Sequence, residues 1–345
     1  MVPNKQETSH GFNHDSSGRV QHRMPFSHRS LKPAVQPFAG RIGGNQELVL
    51  DRDDPENAEL LRRIPDAAPL MAFKDGFDLR GFWDVGLWKF GFVECIGTMM
   101  HSFVTVWASI HPNSAAVPAT TPAGVFSTAT FLGPLVGGIC NWLSLTLFIF
   151  TFANVSGAHL NPTITFGTFF ARLISFPRLV IYVGGQTLGG ALAGWMLRTA
   201  QGSRSFAVGG CSIDTELVPV KEAFVLEFIY SLILIFLSFG VALDPRQGKI
   251  YGAALSPFLV GMVLGVLSWT SSFSRIGYAG ACKCSATHRA EADEGCGVYE
   301  LCLQDPLLIA MNPARCFGVY VATSFPGYHW IHWVRGVLLD WCPIF

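Results

Sequence analysis

Five stretches of this chain, near residues 90–110, 131–152, 178–198, 223–243 and 251–271, are each about as long as a bilayer-spanning helix and carry few or no charges. A sixth, weaker stretch begins near His329 and reaches Phe345, with Arg335 and Asp340 inside it. Runs this long and this apolar all round have to be covered on every side. The loops between them are short. Glycines crowd the third run (Gly184, Gly185, Gly189, Gly190 and Gly194), as expected where helices approach closely in lipid. The fold class that follows is an all-α, multi-pass membrane protein.

Charge divides the chain. Of its 48 Lys, Arg, Asp and Glu residues, 24 lie in residues 1–89, 12 of each sign, which leaves 24 for the other 256 positions. Residues 1–89 are therefore expected to be a disordered polar tail, with aromatics of 77–89 lying at the interface, and 90–345 to be the membrane domain. Net charge is zero, and no basic face marks a nucleic-acid partner. No apolar core of a cleaved signal sequence sits near Met1. Lys74, Arg80 and Lys89 precede the first span, none lies in 111–130, Arg172 and Arg178 flank the next turn, and Arg246 and Lys249 follow the fourth span. Arg204 and Lys221 run against this pattern, but an N-terminus in the cytosol fits best.

Two motifs carry the chemistry. Ser156-Gly157-Ala158-His159-Leu160-Asn161-Pro162-Thr163 follows the second stretch, and Met311-Asn312-Pro313-Ala314-Arg315-Cys316 comes after the fifth. Asn favours a helix N-cap and Pro the first helical position, so each motif starts a helix. The apolar runs that follow, 164–170 and 317–322, are too short to span lipid. Broken backbone at that depth survives only inside protein or along a wet cavity, and two copies point to an inverted repeat with its site at the midplane. Two helix N-termini facing each other would oppose cations, and Arg315 would add a fixed positive charge. The amides of Asn161 and Asn312 would offer hydrogen bonds to a passing oxygen. Glu94 and Glu227, near the starts of the first and fourth spans, repeat the same symmetry.

With these residues in place the chain resembles the aquaporin, or major intrinsic protein, superfamily, from about Phe90 to Ala281 and again from Met311. The resemblance rests on Glu94 before Gly97-Thr98, the Ser-Gly-x-His-x-Asn-Pro block, Gln186, Glu227 and Asn-Pro-Ala-Arg. It implies an aquaporin-like inverted repeat of six transmembrane helices, the sixth truncated here, with two re-entrant half-helices. It further implies a homotetramer with one pore per subunit in the lipid bilayer, in the plasma or vacuolar membrane. Asn161, Pro162, Thr163, Asn312, Pro313 and Ala314 would form the pore motif, braced by Glu94, Glu227, His159 and Gln186. Thr163 in the first motif, paired with Cys316 directly after Asn-Pro-Ala-Arg, resembles the X intrinsic proteins of fungi and plants. The Thr163 hydroxyl is expected to bond to backbone.

The family's narrowest ring maps onto Asn141, Ser272, Ala281 and Arg315. Its small, polar character implies water and small uncharged solutes such as glycerol and hydrogen peroxide. No nucleophile, base or metal set converges, so no enzyme activity and no cofactor are expected. The second, third and fifth spans hold no acid to bind a coupling ion, which weighs against an ion-coupled transporter.

Residues 282–310 interrupt the pattern where the family has about one residue. The insert is acidic and rich in Cys, but Cys282, Cys284, His288 and Cys296 do not have a zinc spacing. It reads as a flexible extracellular-side segment outside the bundle or, better matched to its foreign composition, a retained splicing remnant. With the shortened sixth span, it makes a non-conducting family product or subunit partner the alternative function. Cys95 and Cys140, inside apolar stretches, read as small buried hydrophobes, and no disulfide framework is expected.

Overall fold

The structure, a computed structural model, describes residues 36–43, 49–110, 129–204, 206, 208–216, 218–273 and 309–334. Two short helices, α1 (Ala58–Arg63) and α2 (Phe73–Gly76), precede the membrane domain. Then follow α3 (Val85–Trp107), α4 (Ala129–Phe152), the short α5 (Pro162–Phe170), α6 (Phe176–Gln201), α7 (Val220–Ala242), α8 (Pro245–Ser271) and the short α9 (Pro313–Ala322). The chain is helical again at residues 331–334. The rest of the sixth expected span, Ala281 and residues 282–308 lie outside the described residues.

Local chemistry sets these boundaries. Asp84 caps α3 by accepting from the Gly86 N–H at 2.8 Å. Proline opens α5, α8 and α9 at the first helical position, where its missing N–H costs nothing. Helix α6 stops at Gly202, which adopts the left-handed conformation with φ +65°. Helix α8 breaks near its start at Gly252.

The long helices pair as α3 with α6 and α4 with α8, while α9 lies on α6 and α5 touches both α6 and α7. The two short helices thus sit among the long ones. Helices α4, α7 and α8 are long and apolar enough to cross a membrane. Helices α3 and α6, of 23 and 26 residues, have the length but carry polar groups turned inward, among them Glu94 and Gln186. Large apolar side chains such as Leu147, Leu192, Trp195 and Phe236 point outward, as a lipid-facing belt does.

Glycine makes the crossings tight. A Cβ on Gly190 would strike the backbone carbonyl of Ala314, and one on Gly194 that of Gly318. The half-helix α9 therefore lies directly against the backbone of α6.

Two expectations change here. The tail is not polar coil throughout: residues 37–43 are buried, and residues 49–84 hold short helices and turns. The reason is pairing that composition hides. The Arg52 guanidinium donates to the carbonyls of Pro65, Ala68 and Pro69, and Asp66 meets Arg178 of α6 at 2.6 Å with both side chains buried. The insert also ends earlier than its composition suggests, because Ile309 and Ala310 are buried in the bundle.

The packing generates a first expectation. Gly190→Val places a branched side chain on the Ala314 backbone and should cost about 1–3 kcal/mol through overpacking. A lowered thermal midpoint in detergent checks it, with Gly184→Val, which meets nothing within 4 Å, as the tolerated comparison.

Candidate functional site

Each half-helix starts from a bent loop that needs external support. Ala158 and Leu160 before α5, and Met311 before α9, have positive φ (55°, 50° and 46°), a conformation costing a non-glycine residue roughly 1–2 kcal/mol. The Glu94 carboxylate, buried on α3, holds the first loop. One oxygen accepts from Ser156 Oγ (2.6 Å) and the His159 N–H (3.1 Å). The other accepts from the Leu160 N–H (2.7 Å) and Gln186 Nε2 (2.9 Å). Gln186 also donates to Thr165 Oγ1, which lies 3.2 Å from His159 Nδ1. In the second loop Glu227 Oε1 accepts from the Ala310 N–H at 2.9 Å and lies 3.5 Å from His332 Nδ1. Ser271 Oγ accepts from the Ile309 N–H.

The two asparagines then lock the loops together. Asn161 Oδ1 accepts from the Thr163 N–H, while its amide donates to the Met311 carbonyl at 2.9 Å. Asn312 Oδ1 accepts from the Ala314 and Arg315 N–H groups, while its amide donates to the Leu160 carbonyl at 3.1 Å. Each side chain caps its own helix and ties itself to the other loop. A primary amide has two N–H bonds, so each keeps one beyond this tie. Both asparagines line a cavity of about 60 Å³. Its polar groups and its size admit water.

Arg315, Asn141, His159, Asn161 and Asn312 line this cavity together. Arg315 is buried, and its guanidinium donates to the Gly209 carbonyl (3.0 Å), Cys211 Sγ (3.4 Å) and Ser109 Oγ (3.4 Å). Its partners thus come from the α6–α7 loop and the end of α3, not from the re-entrant loop. Ser272 is not on the lining: its hydroxyl turns back to the Ser268 carbonyl, and Ser268, one turn earlier on the same face, lines the cavity. Ala281 lies outside the described residues, and Ile309 lines the cavity just before the second motif. Thr163 is buried with no hydrogen-bond partner for its hydroxyl among the described residues, against the expectation of a backbone bond.

Sequence reasoning missed His101, Thr105 and Ser109. They stand four residues apart along α3 and just past its end, and the first two line the cavity. That polar stripe in an apolar helix was the available signal. It also missed the disulfide between Cys211 and Cys316, 105 residues apart. This bond fastens the α6–α7 loop to α9 immediately beside Arg315. Cys95 is buried as expected, whereas Cys140 is exposed on the outer face. No group of three or more metal-ligating side chains occurs among the described residues.

Comparison with known proteins agrees with this geometry. The family model described as "Major intrinsic protein" matches residues 82–282. Aquaporin TIP1-1 of Zea mays is 26% identical over 250 residues, covering 72% of this chain and 81% of its own length. Aquaporin-B of Dictyostelium discoideum is 28% identical over 216 residues, covering 59% of this chain and 68% of its own. Probable aquaporin TIP3-2 of Oryza sativa subsp. japonica is 28% identical over 210 residues, covering 60% and 64%.

Two outcomes follow from the site. Glu94→Gln turns one acceptor oxygen into a donor facing donors, so the thermal midpoint should fall and amide exchange at His159 and Leu160 should quicken; unchanged exchange would show that Glu94 does not hold the loop. Cys211→Ser removes a cross-link expected to be worth about 2–4 kcal/mol. Alkylation of the denatured protein without reductant should spare both Cys211 and Cys316 in the parent and label Cys316 in the variant.

Proposed function

The chain belongs to the major intrinsic protein family, a family of all-helical membrane proteins, and on that premise we propose how its pore selects what passes. It is a membrane channel for water and small solutes. The observation that carries the reading is the reciprocal tie of Asn161 and Asn312 at the meeting point of two half-helix N-termini, inside a water-sized cavity.

Selection follows from the charges and donors in the cavity. The N-termini of α5 and α9 each present roughly half a positive charge toward the meeting point. Arg315 adds a full charge, held by a backbone carbonyl, a sulfur and a hydroxyl rather than by a carboxylate. A cation entering this field, stripped of bulk water, meets repulsion with nothing to offset it. A neutral solute can instead exchange hydrogen bonds with the Asn161 and Asn312 amides. The wall opposite is apolar, with Leu145, Leu234, Val260 and Ile309, so it binds a passing molecule weakly. The small residues Asn141 and Ser268 in the ring leave width for glycerol and hydrogen peroxide beside water.

The second half-pore is assembled despite the long segment before it, since Ile309 and Ala310 are seated by Ser271 and Glu227. That supports conduction over the reading of a non-conducting partner subunit. Thr163 and Cys316 support placing the chain with the X intrinsic proteins, and the distribution of Lys and Arg supports an N-terminus in the cytosol. Family membership supports a homotetramer. The similarity to TIP-type aquaporins favours an intracellular, vacuole-type membrane over the plasma membrane.

Proteoliposome swelling tests the reading: water flux above the lipid background is expected, with glycerol following. Arg315→Val should leave or raise the flux of neutral solutes and increase proton leakage. The half-helix fields remain, so the increase should be partial. Unchanged proton flux in a variant that still conducts water would remove Arg315 from the barrier.

A further inference from the structure

The re-entrant loop that brings His159 and Leu160 to the cavity lining is packed against the protein's own N-terminal segment. Residues 37–43 are buried, with Phe38 only 4%, Arg41 2% and Ile42 2% exposed. Ile42 packs in the same apolar cluster as Leu160, Ile164 and Leu234, and those three line the cavity. Its N–H donates to the Gly157 carbonyl at 3.0 Å, in the re-entrant loop. His159 Nε2 lies 2.7 Å from the Gly40 carbonyl, a geometry in which the ring donates, and Phe38 stacks on the same ring at 5.9 Å. The segment therefore occupies a carbonyl and an imidazole nitrogen of the re-entrant loop, and the imidazole belongs to a residue of the cavity lining.

We propose that residues 37–43 are an intramolecular plug that closes the His159 mouth of the channel. The proposal rests on the channel reading above. The plug is clamped from behind: the Ala39 N–H donates to the Asp66 carbonyl at 2.8 Å, and the Arg178 guanidinium, paired with Asp66, lies 4.2 Å from the centre of the Phe38 ring. Seating is opposed by one residue. Arg41 is buried with Nη2 bonded to the Gln36 carbonyl, while Nε and Nη1 have no partner among the described residues. A buried cation with unspent donors is costly, and withdrawing the segment would return it to water. The apolar seat of Phe38 and Ile42 and the penalty at Arg41 oppose each other, which makes the closure reversible.

The test uses the full chain in proteoliposomes, with osmotic water permeability as readout. Phe38→Ala combined with Ile42→Ser should loosen the seat and raise permeability several-fold over the parent. A parent that already conducts as fast as this variant overturns the plug and leaves the channel reading intact. Gly43→Val should act in the same direction by steric means, since a Cβ on Gly43 would strike that of Ala153. A variant whose segment is displaced, read as faster proteolysis at Arg41, without any rise in flux overturns the plug. Background flux in the parent and in the loosened variant overturns the channel reading, and the plug with it.

Discussion

A helix that starts halfway across a membrane exposes backbone groups that lipid cannot satisfy, and each left unpaired costs several kcal/mol. In this protein the Glu94 carboxylate answers that constraint for the first half-helix. Four donors reach it: two backbone N–H groups of the loop, one hydroxyl and one side-chain amide. Hydrogen bonds to a charged acceptor are worth about 1.5–3 kcal/mol each, more than the strain of the left-handed residues Ala158 and Leu160. The loop can then present Asn161 to the midplane, and the Leu160 carbonyl is placed to accept from Asn312. The position of the second half-helix thus depends in part on the brace of the first.

The same constraint explains where space is not left. Because α9 must reach the midplane beside α6, its backbone passes Gly190 and Gly194 at a distance that excludes any side chain. On the far side Cys316 joins Cys211, and the carbonyl of Gly209 meets Arg315. The filter cation is held between a helix packed on glycine and a loop tied by a covalent bond. Neither support touches the solute, yet both fix where the guanidinium lies.

Much of this was legible in the sequence, because it rests on local rules. Asn before Pro announces a capped helix start, a short apolar run afterwards announces a half-helix, and an acid in an apolar span announces a buried partner. Asn161, Asn312, Glu94 and Glu227 were found that way. What stayed hidden depends on tertiary neighbours. Cys211 and Cys316 are 105 residues apart, and neither has a local signature for pairing. Ser272 and Ser268 differ by one helical turn, and no local marker fixes the register at the end of α8. Residues 37–43 lie in a tail whose composition as a whole is polar, and their burial comes with distant partners, the re-entrant loop and the helices around it, that no local pattern announces.

The two ends of the pore are consequently built on different principles. At the Arg315 end the charged group is matched: a carbonyl, a sulfur and a hydroxyl take its donors, and a disulfide holds two of those partners in place. At the His159 end the buried Arg41 is left mismatched, with two nitrogens that find no partner among the described residues, next to the apolar seat of Ile42. A satisfied buried charge is rigid, because every escape breaks a bond that water must replace. An unsatisfied one stores a free-energy gain for leaving. The inverted repeat supplies matching half-helices, but the chain outside the repeat makes one mouth a fixed filter and the other a mouth that its own segment can cover and release.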